Sequence, residues 1–289
     1  MDEAESKRPD YIRSEAPSTA FGVVEKPLSA WESVYGNEAL RKGCLLVLLA
    51  GAWQVYATFL NNPLLFPTFA STLDAFWSGL RHGDLVQKAG FSIKVLLQGY
   101  AAGVLLAGIL TVIAMTSRIG TDLLETLTSM FNPLPAIALL PLALIWFGLG
   151  SLSMVFVLVH SVLWPVALNT HAGFMSVSAT LRMVGRNCGL RGFRYVSKIL
   201  IPAAFPSILT GLKIGWAFAW RTLIAAELVF GVSSGQGGLG WFIYESKNLL
   251  EIPNVFAGLL TVILIGLFME NVVFRNIEAR TVRRWGMQH

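Results

Sequence analysis

"VLLQGYAAGVLLAGILTVIAM", residues Val95–Met115, carries no charged side chain and no proline. The hydrocarbon core of a bilayer takes about 20 such residues as a helix, which satisfies every backbone N–H and C=O within the segment itself. The stretch therefore predicts a membrane-spanning helix. Its Gly99, Gly103 and Gly108 predict close approach by a neighbouring helix, since a residue without Cβ lets two backbones draw together. Outward from it lie five further candidate spans: Gly43–Leu60, Thr121–Gly150, Ser151–Leu168, Ala203–Gly231 and Val255–Phe274. The Thr121–Gly150 segment holds Pro133, Pro135 and Pro141 and is expected to be kinked or broken.

The composition agrees with this reading. The 289 residues are 54% hydrophobic and 13% charged, with a mean hydropathy of +0.61, where a soluble domain carries about a quarter charged residues. The expected fold class is all-α: a polytopic membrane protein of six transmembrane helices. Its expected domains are a cytoplasmic tail over 1–42, a six-span membrane domain over 43–275 and a cytoplasmic tail over 276–289. The first tail is expected to hold a surface helix at Leu28–Lys42. No cleavable leader is expected, because a polar stretch precedes the first apolar run.

The net charge of +5 and pI near 9.4 are explained by the Lys and Arg excess of cytoplasmic loops rather than by nucleic acid. With the N-terminus inside, the cytoplasmic segments collect the cations from Lys7 to Lys42, Arg118, the loop between spans four and five, and Arg275 to Arg284. The outer segments keep only Arg81, Lys88, Lys94 and Lys247. Both termini are thus expected in the cytoplasm. Cys44 and Cys188 make no disulfide framework.

The loop at 169–202 is longer than a plain connection needs. "SATLRMVGRNCGLRGFRYV" reads as an amphipathic helix, a glycine turn at Gly189 and Gly192, and a second helix. Val177, Leu181 and Val184 share helical spacing, with Arg182 and Arg186 on another side. Pro202 is placed at the start of the fifth span.

This loop resembles the cytoplasmic EAA motif of ABC importer permeases, in which Glu-Ala-Ala precedes a glycine and then an apolar-Pro pair. Gly189 matches the motif glycine and Ile201-Pro202 the pair. "NPLPAIALLPLALIWFGLG" and "GQGGLGWFIYESKN" resemble the branch that imports nitrate, sulfonates, taurine and related small acids; the resemblance spans roughly residues 43–280. It implies a MetI-like fold in the bacterial inner membrane and a second copy of the permease. It also implies a cytoplasmic ATPase dimer that holds the ATP and Mg, and a periplasmic or lipid-anchored substrate-binding protein. No cofactor is expected in this chain. The implied coupling residues are Arg182, Met183, Gly185, Arg186, Gly189, Leu190 and Arg191. Here the sequence departs from the motif: Met183, Val184 and Gly185 stand at the Glu-Ala-Ala positions, so the acidic residue is absent.

A phosphate-cradling loop needs Gly, four residues, then Gly-Lys-Ser/Thr; no such run occurs, and the glycine-rich "GVSSGQGGLG" (Gly231–Gly240) lacks the lysine. No enzyme activity is therefore expected. Ionisable residues within a span default to functional candidates. Arg221 and Glu227 in the fifth span are candidates for the translocation path, with Ser129 and Asn132 ahead of Pro133 in the third. The same Arg221 and Glu227 would serve an ion-coupled secondary transporter, the alternative reading. Lys213 is expected to snorkel, and His160 to be a packing histidine with satisfied nitrogens rather than a relay. Phe147 and Trp241 belong to an interfacial aromatic belt or to an outer gate. Membrane lipid surrounds the whole.

Overall fold

The computed structural model describes residues 36–230 and 237–284. The surface helix expected at Leu28–Lys42 thus lies mostly outside the described residues, as do 231–236 of the glycine-rich turn and 285–289 of the last tail. Helix is the only regular structure among the described residues. Five helices are long and apolar enough to cross a membrane; a bent helical pair makes up to six.

The chain divides into two units, Met1–Gly51 and Ala52–His289. In the first, the described part is the opening of helix α1 (Glu38–Leu60), where Leu45 to Leu49 are all exposed. Lys42 and Glu38 pair one turn apart, at 2.6 Å.

In the second unit, Trp53 of α1 packs against Phe66, Phe69 and Phe256 and donates its indole N–H to the Pro67 carbonyl. Helix α2 (Phe69–Arg81) follows. The sequence reading places no helix there. It forms because Thr68 caps it, its hydroxyl accepting from the Ser71 N–H at 3.1 Å. Helix α3 runs Leu85–Thr116, ten residues ahead of the expected Val95. Hydropathy marks the stretch that fits the hydrocarbon, whereas the helix continues into polar turns beyond it.

The third span is broken. Helix α4 (Arg118–Phe131) is followed by Asn132 to Pro135, a tight turn of helix at Ala136–Leu139 and helix α5 (Leu140–Phe147). The two halves meet at 88°. Pro133 and Pro135 remove two N–H donors where a continuous helix would need them.

Helix α6 (Ser151–Ser176) is the most enclosed: Val157, Leu158, Val162 and Ala167 show no exposed surface. It packs most extensively with α3 and with α8 (Ile201–Phe230). Both contacts are made by glycines four apart. On α3, a Cβ at Gly99 would come within 2.5 Å of Leu158, and one at Gly103 within 2.7 Å of Val162. On α8, Gly211 and Gly215 seat in the same way against Pro165, Val166 and Asn169. Gly108, expected to share this role, faces open space.

Between α6 and α8 lies helix α7 (Ala179–Asn187). Helical turns at Gly192–Tyr195 and Val196–Leu200 then lead into α8 without interruption, the second with π spacing. This corrects the expectation that Pro202 opens the span. The Ile201 N–H reaches back to the Val196 carbonyl, so the wider turn absorbs the proline without ending the helix. Helix α9 (Leu239–Asn248) and helix α10 (Ile252–Phe268) complete the unit, with helical turns carrying α10 on to Arg283.

Candidate functional site

The break in the third span opens one wall of a cavity of about 390 Å³. Asn132 to Ile137 form that wall. His160, Ser161, Trp164 and Pro165 of α6 form another, and Phe218, Arg221, Thr222 and Ala225 of α8 the third. Ridges four residues apart on α6 and α8 turn these side chains to one side.

The Ser161 hydroxyl donates to the Leu158 carbonyl at 2.8 Å, but three other polar groups here lack partners. Arg221 is exposed and forms no hydrogen bond or ion pair among the described residues. Both ring nitrogens of His160 and the indole N–H of Trp164 are buried without a partner. Trp164 is only 7% exposed and stacks on Phe131 at 5.4 Å, with His160 edge-on at 6.0 Å. A buried donor without an acceptor costs about 1–3 kcal/mol, so the Trp164 N–H and the single N–H of a neutral His160 ring suit a ligand that supplies acceptors. Sequence reasoning names Asn132 and Arg221 and misses Trp164. It also takes the His160 nitrogens as satisfied, and the geometry corrects this. A lone histidine in a span is usually a packing residue; only the fold places this one beside a cation and an open cavity.

Glu227 and Ser129, also expected on the path, are not among the residues lining this cavity. The Ser129 hydroxyl donates to the Thr126 carbonyl of its own helix at 2.8 Å. Glu227 is buried, and its carboxylate accepts from the Ser92 hydroxyl at 2.7 and 2.8 Å and from the Gly240 N–H at 2.8 Å. Ser92 in turn accepts from the Leu239 N–H at 2.9 Å. A Cβ at Gly238 would fall 2.1 Å from this carboxylate, so only glycine fits there. Glu227 thus fastens α3, α8 and the start of α9 together, apart from Arg221. Lys213 does not simply snorkel; it pairs with Glu278 beyond α10 at 2.6 Å. Phe147 packs on Phe156 at 5.4 Å in a three-ring cluster with Trp146, and Trp241 packs separately on Tyr244 at 5.4 Å.

At the other place of interest, Ser178 caps α7 by accepting from the Leu181 N–H. Gly189, with φ of +74°, closes it. The Leu190 N–H reaches the Gly185 carbonyl at 3.1 Å and the Gly189 N–H reaches that of Arg186 at 3.0 Å, the paired bonds of a Schellman ending. Gly185 is buried; a Cβ there would meet Ile199 and Tyr195 at 3.0 Å. Arg182 turns back, donating to the carbonyls of Phe174 at 2.6 Å and Val177 at 3.1 Å. It ties α7 to the end of α6. The expected apolar face divides: Val177 enters a small core with Phe174, Leu200 and Ala204, while Val184 stays half exposed beside Met183.

Comparison with known proteins bears on both places. Residues 99–283 match the family described as binding-protein-dependent transport system inner membrane component. A putative ABC transporter permease protein of Methanocaldococcus jannaschii is 32% identical over 81% of this chain and 88% of its own. The taurine transport system permease protein TauC of Escherichia coli is 31% identical over 79% and 83%. The nitrate import permease protein NrtB of Synechocystis is 27% identical over 89% and 95%. Among solved structures, an amino acid ABC transporter chain matches with a TM-score of 0.54 at 18% identity. The match covers 72% of this chain and 98% of that one, and it carries the fold alone.

Proposed function

The chain belongs to the family of binding-protein-dependent transport system inner membrane components, the MetI-like permeases of ABC transporters. On that premise we propose that it forms the translocation path of an ATP-driven importer for a small anion of the sulfonate, taurine, nitrate, bicarbonate or carboxylate type. The observation that carries the reading is the cavity at the broken span. A cation free of partners, Arg221, shares it with unpaired nitrogens of His160 and Trp164. A fixed cation and neutral donors in a partly dry site replace the hydration of an anion.

The chain is a multi-pass membrane component rather than an enzyme. ATP and Mg are held by a separate cytoplasmic ATPase dimer, which docks on α7. A second copy of this chain completes the pore, and a periplasmic or lipid-anchored binding protein delivers the solute. The protein sits in the inner membrane with both termini in the cytoplasm. ATP closure moves α7, and α8, joined to it, carries the motion to the cavity by alternating access. The closed network around Glu227 speaks against its use as an ion-coupling carboxylate.

The test is uptake into proteoliposomes holding the chain, its co-purifying ATPase and ATP. Arg221→Ala is expected to lower uptake of taurine or nitrate, whichever the wild type carries, by about tenfold or more, the loss of one charge-assisted contact. Arg221→Lys is expected to retain part of it. Unchanged uptake in Arg221→Ala would remove this cavity from the path. Uptake driven by an ion gradient without ATP would overturn the importer reading.

A further inference from the structure

We propose that the groove beside α7 receives an acidic side chain of the ATPase, so that the docking contact is positive on this chain and negative on its partner. The proposal rests on the coupling reading above and adds the polarity of the contact. Arg186, Leu190, Arg191, Gly192 and Tyr195 line a groove of about 350 Å³. Arg186 and Arg191 form no hydrogen bond or ion pair among the described residues. The Tyr195 hydroxyl is buried and lacks a partner.

Topology alone does not explain this arrangement. An excess of cations on a cytoplasmic loop requires only that they reach water, and it leaves no phenol hydroxyl buried and unpaired. Arg182, on the same helix, shows what a structural arginine does here: its guanidinium is spent on two backbone carbonyls. Nor can this stretch neutralise itself, because no Asp or Glu lies between Glu125 and Glu227.

A carboxylate matches the groove. It accepts in-plane pairs of N–H bonds from guanidinium and an O–H bond from tyrosine. Met183 and Val184, 57% and 50% exposed, lie on the same helix as Arg186. Apolar side chains beside arginine are the composition of a protein interface. Met183 thus supplies apolar contact at the position where an acid would have stood on this side, and the acid moves to the partner.

The experiment uses the complex extracted from its native membrane in mild detergent. In Arg186→Lys, and separately in Arg191→Lys, an amine replaces the guanidinium. A carbodiimide can then join that amine directly to a touching carboxylate as an amide, with loss of water. The expected product is a crosslink from the substituted position to an Asp or Glu of the ATPase subunit, mapped by mass spectrometry. Arg186→Glu with Arg191→Glu is expected to weaken ATPase retention by about tenfold or more, and Tyr195→Phe to weaken it less while leaving the elution profile intact. Retention equal to wild type in the double reversal, with no crosslink in either lysine variant, overturns the proposal. So does thermal stabilisation by phosphatidylglycerol that the double reversal abolishes while ATPase retention stays unchanged, which would give the groove to a lipid headgroup. If no ATPase accompanies even the wild-type chain, the coupling reading itself fails.

Discussion

Gly103 and Gly215 approach α6 from two helices, and Val162 lies against both. Here the absence of a methyl group sets how close three spans can come. Gly99→Ala is expected to cost about 1–3 kcal/mol, because its new Cβ would lie 2.5 Å from Leu158 in a well-packed core. Gly108→Ala, with open space around it, should be neutral or stabilising by up to about 1 kcal/mol. Thermal scanning in detergent separates the two. The sequence shows three glycines on one span and cannot tell which two face a partner, since that depends on the rotation of α3. Glu227 is a second case. Spacing relates it only to Arg221 on its own helix, whereas its hydroxyl partner Ser92 is 135 residues away. Glu227→Ala strands the Gly240 N–H and the Ser92 hydroxyl. It is expected to destabilise by about 2 kcal/mol, seen as a lowered melting temperature, with Ser92→Ala milder.

At the scale of elements, the long apolar spans were legible, whereas their limits and the short helix α2 were not. Long apolar runs announce spans because a helix satisfies every backbone polar group within its own segment in lipid. The prolines of the third span foretold a break, though not its 88° angle. Pro202 misled for a physical reason: proline is common at a helix start, but a π turn at Val196–Leu200 accommodates it inside one. The cap of α7 was legible in Gly189, whose φ of +74° strains any residue with a Cβ. Gly189→Val should cost about 1–3 kcal/mol locally. It is expected to abolish ATP-driven uptake while membrane insertion, followed by membrane fractionation and blotting, stays normal. The Lys213–Glu278 pair, both partners less than a third exposed, joins α8 to the extension of α10. A double-mutant cycle with Lys213→Met and Glu278→Gln is expected to return a coupling of about 1 kcal/mol.

The whole chain reads as a membrane protein by its hydropathy, and its charge asymmetry makes a checkable statement about sidedness. Cys188 ends α7 and is exposed. In a Cys44→Ser background, a membrane-impermeant maleimide should label Cys188 in inverted vesicles and not in intact spheroplasts. The opposite pattern would reverse the proposed orientation. The helical run from 192 to 230 has a further consequence. Tyr195 in the groove and Arg221 in the cavity stand on one unbroken screw, separated by roughly 40 Å at 1.5 Å per residue. Adding or removing a single residue between them turns one against the other by about 100°. Length there is therefore a phase setting, like the timing between two gears on a shaft. Deleting Ser197 from the π turn would turn the groove against the cavity, and ATP turnover and uptake are expected to run out of step.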